Sequence, residues 1–303
     1  MNNRFQPRIM LTGKNGQIGW ELQRTLASLG EVIALNRQQL DLANPDRIRE
    51  LVREIKPNLI VNAAAYTAVD KAEEETELAM AVNGIAPGIL AAEAKRLNAA
   101  IIHYSTDYVF DGTKANPYNE TDVPHPPNVY GRTKLAGEYA VQASGAPYLI
   151  LRVSWVYGIM GNNFMLTILR LARERGELRI VDDQVGSPTW SRMLAEVTAQ
   201  ILAQGYPTLE DKKGIYHLSA GGETTWYGFA KAILAQNILP LSGLHSVKLI
   251  PVSTLEYPTA ARRPAYSLLS NTRLNQTFGL TMPAWDLALK LAVDSFLTVK
   301  KII

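Results

Sequence analysis

Tyr130 and Lys134 stand four residues apart in Tyr130-Gly131-Arg132-Thr133-Lys134, a spacing that places both side chains on one face of a helix. A phenol with an ordinary pKa of about 10 is a poor acid–base group at neutral pH. A neighbouring ammonium stabilises the phenolate and lowers that value. Such a pair can give a proton to a carbonyl oxygen as a hydride arrives from a nicotinamide. A hydroxyl to hold the carbonyl would come from Ser105 or Thr106, in the run Ser105-Thr106-Asp107-Tyr108. That run closes a strand pattern over 101–105, and parallel sheets gather ligands at the carboxyl ends of their strands. Tyr-x-x-x-Lys also occurs as an ordinary surface pair, so the chemistry depends on the elements around it.

The first of these elements is a glycine turn. A strand pattern over 8–11 runs into Thr12-Gly13-Lys14-Asn15-Gly16-Gln17-Ile18-Gly19, and a helical pattern over 17–29 follows. Gly13 would let the chain reverse, Gly16 would let backbone approach a pyrophosphate, and Gly19 would let the helix pack close to the sheet. The helix N-terminus then turns free N–H groups toward the phosphates. The second strand ends at Leu35-Asn36-Arg37, where a NAD-binding unit usually carries an acid for the ribose 2′-OH. A neutral Asn36 and a cationic Arg37 suit a 2′-phosphate instead. NADPH is therefore the expected cofactor, with NADH as the alternative. Asp41 either reaches the adenine or caps the turn before Asn44-Pro45.

Strand patterns over 8–11, 31–35, 59–62, 100–105 and 148–153 alternate with helical patterns over 17–29, 46–55, 77–97 and 130–144. That alternation predicts a Rossmann-type, doubly wound parallel α/β sheet. Residues 1–155 would form the dinucleotide-binding domain. Residues 156–303 would form mainly a smaller, interleaved substrate lobe, with segments from about 180–220 returning to the sheet. A short strand is expected over 216–219, helices over 164–175, 193–202 and 225–236, and turns at Pro240, Pro251, Pro258, Pro264 and Pro283.

Composition narrows the function. Of 303 residues, 47% are hydrophobic and 19% charged, which fits a globular chain. A net charge of +3 is too small to argue for nucleic acid as a partner. The absence of cysteine removes disulfides, Fe–S clusters, thiolate zinc sites and a cysteine nucleophile. No apolar run reaches the roughly 18 residues of a membrane span, and residues 1–7 lack a secretory pattern, so a cytoplasmic protein is expected. His103, His125, His217 and His245 show no ligand spacing, and His103 reads as a core histidine.

With Tyr-x-x-x-Lys and the glycine turn, the chain resembles the extended short-chain dehydrogenase/reductase family. Within it, the resemblance is to the dTDP-4-dehydrorhamnose reductases. The resemblance also rests on Asn62-Ala63-Ala64-Ala65-Tyr66-Thr67-Ala68-Val69-Asp70, Ser105-Thr106-Asp107-Tyr108-Val109-Phe110-Asp111-Gly112 and Arg152-Val153-Ser154-Trp155-Val156-Tyr157-Gly158. Gly161-Asn162-Asn163-Phe164, Asp183-Gln184-Val185-Gly186-Ser187-Pro188-Thr189 and Ala261-Arg262-Arg263-Pro264 extend it over nearly the whole chain.

The resemblance implies NADPH-dependent reduction of a dTDP-linked 4-keto sugar. It makes Tyr130 the proton donor, Lys134 its partner and a ribose ligand, and Thr106 the group that polarises the keto oxygen. Gly16, Gln17 and Ile18 would meet the pyrophosphate. Asp41 and Leu42 would lie near the adenine, and Ala65, Tyr66, Thr67 and Tyr104 along the cofactor. Asp107, Trp155, Asn163 and Arg263 would touch substrate. Position 66 is Tyr where many relatives carry His. A homodimer is compatible with the resemblance. Some family members hold Mg²⁺ between subunits on glutamates; here only Glu21 matches and Arg192 stands at the second ligand position, so no metal is expected. The same residues also admit a nucleotide-sugar 4-epimerase, or a non-catalytic NADP-binding subunit resembling the β subunit of methionine adenosyltransferase.

Overall fold

A computed structural model describes residues 6–205, 207–236 and 247–302. Pro240 and His245, noted above, lie outside the described residues. Six parallel strands build the central sheet: β1 (Arg8–Thr12), β2 (Glu31–Leu35), β3 (Leu59–Asn62), β4 (Ala100–Thr106), β5 (Tyr148–Val153) and, much later in the chain, Gly214–His217. That last strand is β10 in chain order, after the short lobe strands β6 (Val156–Tyr157), β7 (Glu177–Val181), β8 (Val185–Gly186) and β9 (Thr189–Trp190). Residues 214–217, rather than 216–219, pair with Leu149–Arg152.

The core strands are apolar on both faces because both faces are covered. Ile9, Leu11, Val61, Ile102 and Leu151 pack on one side with Leu22 and Leu26 of α1 (Gln17–Thr25) and its continuation. Met10, Ile60, Ile101 and Ile150 pack on the other with Ile48 and Leu90 of the helices between strands. The strand order is β10-β5-β4-β3-β1-β2. The chain goes from β1 to β2 on one side and returns to β3 on the other, which opens a crevice beyond the carboxyl ends of β1 and β3.

The helices on that second face are α2 (Pro45–Ile55), α3 (Thr76–Met80), α4 (Ala86–Arg96) and α5 (Val129–Ala143). The single helix expected over 77–97 is broken by a π turn at Ala81–Ile85. Pro87 has no N–H to offer the Asn83 carbonyl, and its ring crowds that oxygen, so the ladder cannot run straight through. The freed Asn83 carbonyl faces α5, where a Cβ added at Gly137 would stand 2.1 Å from it.

The lobe has its own core of Tyr157, Met165, Leu169, Trp190, Phe229 and Leu289. These come from β6, β9 and three helices: α6 (Phe164–Glu174), α9 (Trp226–Ala235) and α11 (Trp285–Ile302). Three other α-helices lie among the described residues: α7 (Ser191–Ala203) covers α1, α8 (Pro207–Asp211) lies against β5, and α10 (Thr272–Phe278) lies against β10. β11 (Thr224–Thr225) pairs with β8. β12 (Lys248–Val252) pairs with β7 and contains Pro251, opposite Ile180, where a turn was expected. A two-stranded ladder leaves one edge unpaired, and proline is tolerated there. No helix of the described residues is long and apolar enough to cross a membrane.

Candidate active site

A cavity of about 810 Å³ follows the carboxyl edge of the sheet. The glycine turn forms its floor. Gly13 holds φ at 74°, its carbonyl accepts from the Gly16 N–H at 2.9 Å, and Gly16 opens α1 without a side-chain cap. The first-turn N–H groups of α1 are thus left for a ligand. Gly16, Gln17 and Ile18 line the cavity. Gly19 does not, because it acts by proximity: a Cβ there would lie 2.1 Å from the Gly13 carbonyl oxygen.

At the end of β2, the Asn36 side chain accepts from the Gln39 N–H at 3.0 Å, and Gln39 Oε1 accepts from the Asn36 N–H at 3.1 Å. The turn is locked, and Asn36 lines the cavity beside Arg37. Arg37 stands exposed on the cavity wall with no salt-bridge partner among the described residues. Asp41 accepts from the Ala43 N–H at 3.1 Å, capping its turn, while it and the buried Leu42 line the same wall.

Ala65, Tyr66 and Thr67 continue the wall beyond β3. Asn83, 1% exposed in the π turn, grips this segment. Its Oδ1 accepts from the Tyr66 N–H at 2.8 Å, and its Nδ2 donates to the Tyr66 carbonyl at 3.0 Å and to Thr133 Oγ1 at 3.2 Å. One side chain therefore joins the cofactor-side loop to the helix that carries Tyr130. The sequence did hold a signal for it, a lone Asn in an Ala-rich window just before a proline. Asn83→Leu is expected to lower stability by about 2–3 kcal/mol, since it strands buried polar groups. A denaturant midpoint that falls at unchanged slope would record this, together with weaker NADPH binding. The Tyr66 hydroxyl donates to Glu75 at 2.7 Å, and that bond raises its pKa.

α5 begins under a double cap. Asn128 accepts from the Gly131 N–H at 2.8 Å and Glu73 accepts from the Val129 N–H at 2.8 Å. Tyr130 and Lys134 follow, and both line the cavity beside Thr106. Lys134, 2% exposed, donates to the Tyr104 carbonyl at 2.6 Å. Burial pulls it down to about 8, against the opposing charge of Glu138. Tyr130 departs from the expectation of an acidified phenol. Burial pushes it up to about 12; the Thr106 hydroxyl works against this and the Asp107 charge with it. The loss of water around the phenolate sets the direction of the shift, and the phenol keeps its proton, as a donor must.

Tyr104 lines the cavity, while its hydroxyl meets Thr198 at 2.6 Å in the core. The Thr106 hydroxyl donates to Asp107 Oδ1 at 3.0 Å and accepts from the Tyr108 N–H at 3.2 Å. To polarise a carbonyl, that proton has to turn away from Asp107. Asp107 is 2% exposed and also accepts from Ser154 at 2.9 Å. Burial pushes it up to about 6, opposed first by the Ser267 hydroxyl.

Trp155 lines the cavity at φ 45°, a backbone conformation that costs a side-chain-bearing residue about 1–2 kcal/mol. Asn163 and Arg263 do not line it. Asn163 is the N-cap of α6, accepting from the Leu166 N–H at 3.1 Å and donating to the Gly158 carbonyl at 2.8 Å. Arg263 pairs with Asp70 at 2.7 Å. Both side chains are used to hold the lobe. Trp226 lines the cavity as well.

The residues near Glu21 do not fit Mg²⁺. Glu21 is buried and its pKa is raised by that burial, while the charges around it are Arg192, Arg24 and Glu196, with Arg192 bonded to Glu196 at 2.9 Å. His103 is fully buried, shares a 3.0 Å bond with Asn62 through Nδ1, and is held neutral by desolvation. It is a core residue.

Residues 7–298 match the family described as the RmlD substrate binding domain. A dTDP-4-dehydrorhamnose reductase of Burkholderia thailandensis is 47% identical over 296 residues, covering 96% of this chain and 99% of its own. The enzyme of the same name from Escherichia coli K12 is 46% identical over 298 residues, covering 97% and 99%. Among solved structures, dTDP-4-dehydrorhamnose reductase of Bacillus anthracis in complex with NADP superposes with a TM-score of 0.88 at 36% identity, covering 96% of this chain and all of that one. The NAD complex of Thermus thermophilus UDP-glucose 4-epimerase, at 19% identity and a TM-score of 0.78, shares the fold. This chain belongs to the RmlD family, the family of the dTDP-4-dehydrorhamnose reductases.

Proposed function

We propose that the protein reduces dTDP-4-dehydro-L-rhamnose to dTDP-L-rhamnose with NADPH. The observation that carries this reading is one continuous cavity wall. It runs from Arg37 and the open first turn of α1 to Tyr130, Lys134 and Thr106. When bound, NADPH supplies the hydride. The α1 N-terminus receives the pyrophosphate, and Arg37 faces the 2′-phosphate with charge and a fork of donors. Lys134, fixed by the Tyr104 carbonyl, holds a positive charge beside the reacting centre. Tyr130 delivers its proton to the keto oxygen, and the Thr106 hydroxyl steadies that oxygen once it leaves Asp107. In this division of labour residues 1–155 hold mainly the dinucleotide and 156–303 mainly the sugar.

The test is NADPH oxidation with a panel of dTDP-, GDP- and UDP-linked 4-keto sugars. One NADPH consumed per dTDP-sugar reduced supports the reading. Tightly retained NAD⁺ with no net consumption would indicate an epimerase. Absence of turnover, with capture of an adenosyltransferase, would indicate a regulatory subunit. Arg37→Ala is expected to raise the KM for NADPH about tenfold or more and leave that for NADH within about twofold, as befits loss of one charge-assisted contact. Equal changes for both cofactors would refute the role of Arg37.

A further inference from the structure

Each reduction leaves Tyr130 without its proton, and a phenol held up to about 12 must recover one before the next cycle. Besides burial, two groups act on it: the Thr106 hydroxyl, which favours the phenolate, and the Asp107 charge, which opposes it. Those two are themselves linked, because the Thr106 hydroxyl donates to Asp107 Oδ1 at 3.0 Å. All three residues line the cavity. Phenol, hydroxyl and carboxyl thus form a series that joins the start of α5 to the end of β4.

Asp107 is a costly group to bury. It is 2% exposed, and the groups that favour its ionised form are the Ser267, Ser154 and Thr106 hydroxyls and its own backbone N–H. None of these is a cation. Hydroxyls alone offset only part of the lost hydration, so the carboxyl stays up at about 6. The three hydroxyls come from separate segments. Thr106 closes β4. Ser154, 1% exposed, follows β5 and donates to Asp107 Oδ2 at 2.9 Å. Ser267 is fixed by its own N–H, which donates to the Val185 carbonyl of β8 at 2.8 Å. An uncharged side chain would fill this junction without the burial cost of a carboxylate. A perturbed acid kept in a cleft marks a site of proton chemistry.

We propose that Asp107 is the proton reservoir for Tyr130, acting through the Thr106 hydroxyl. This rests on the reductase reading, because the group it refills is the proton donor of that reaction. As hydride from NADPH reaches the carbonyl carbon, the Tyr130 O–H bond breaks and its proton goes to the keto oxygen, leaving a phenolate. The Thr106 O–H bond then breaks and its proton passes to the phenolate. The proton of the Asp107 carboxyl forms a new O–H bond on Thr106, and Asp107 is left as the carboxylate. Asp107 regains a proton from water in the cavity that it lines. The transfer runs downhill, from an acid at about 6 to a base whose conjugate acid lies at about 12. It also reverses the Thr106–Asp107 hydrogen bond, so a protonated Asp107 is what turns the Thr106 proton toward the reacting centre.

The experiment mixes the enzyme–NADPH complex rapidly with saturating dTDP-4-keto sugar and follows NADPH absorbance. Tyr130 starts protonated, so Asp107→Asn should complete its first turnover within about threefold of the wild-type rate. Its later turnovers should slow by about 10²-fold, the lower range for loss of a positioned acid. The trace is then a burst equal to the enzyme concentration followed by a slow phase. The burst itself shows that the variant is folded and its site assembled. A steady-state rate equal to wild type would overturn the proposal, and so would a first turnover slowed as much as the later ones. Asp107→Ala leaves space on the cavity wall for a small acid. Added formate should speed its slow phase and leave its burst unchanged, and a slow phase indifferent to formate would also overturn the proposal. Wild-type turnover in the same assay tests the reductase reading separately.

Discussion

Tyr130→Phe leaves NADPH binding nearly intact and cuts turnover by about 10²–10⁴-fold, the range expected when a positioned proton donor is removed. The substitution deletes one oxygen. The ring keeps its edge contact with Tyr108, at 5.5 Å and 77°, and the Asn128 and Glu73 caps on α5 use backbone N–H groups that it does not touch. The loss therefore isolates the proton. With the phenol held up to about 12, Tyr130 enters each cycle protonated, and no neighbour replaces it. Lys134 is tied to the Tyr104 carbonyl and the Thr106 proton goes to Asp107. Cofactor titration by fluorescence and steady-state rates check the two halves. Near-normal turnover would mean that some other group protonates the alkoxide.

The second large effect lies behind the site. Arg152 on β5 makes a two-pronged pair with Glu138 on α5, at 2.9 and 2.6 Å, with side chains 2% and 0% exposed. Ser105 donates to the same carboxylate. Glu138→Ala leaves a guanidinium buried without its counter-charge and is expected to cost about 3–5 kcal/mol of stability. Replacing both partners by apolar residues, Glu138→Leu with Arg152→Met, should recover most of it. Chemical denaturation of the single and double variants measures the difference, and an equal loss in both would show that the pair's charge is not the cause. The milder Glu138→Gln carries a kinetic signature. Burial depresses Lys134 and Glu138 partly restores it. Removing that carboxylate charge must lower the Lys134 pKa further below about 8. The ammonium is then lost at lower pH, and the basic limb of the turnover profile moves acidward.

The sheet, the glycine turn and the Tyr–Lys pairing were readable in the sequence because each is a local pattern: apolar runs, three glycines, a four-residue offset. The direction of the Tyr130 shift was not. Spacing reports that an ammonium is near, but the cost of removing water depends on walls built by β4 and the lobe. Asn83 and Trp226 escaped for a related reason. Asn83 matters through partners at 66 and 133, and Trp226 through one at 155, and no window along the chain contains those pairs. Asn163 and Arg263 show the opposite relation: their motifs are recognisable in the sequence, while in the structure the side chains are engaged by a helix cap and by Asp70. The turn expected at Pro251 failed because proline was read as a breaker, whereas a two-stranded edge accommodates it.

The late arrival of β10 at the sheet bears on synthesis. Until Gly214–His217 emerges and pairs with Leu149–Arg152, a growing chain carries β5 as an open edge of unpaired N–H and C=O groups, a template for association with other chains. The nucleotide-binding half is thus not a self-sufficient module. A fragment that stops near residue 155 should aggregate, and an engineer wishing to graft it must supply a surrogate border strand.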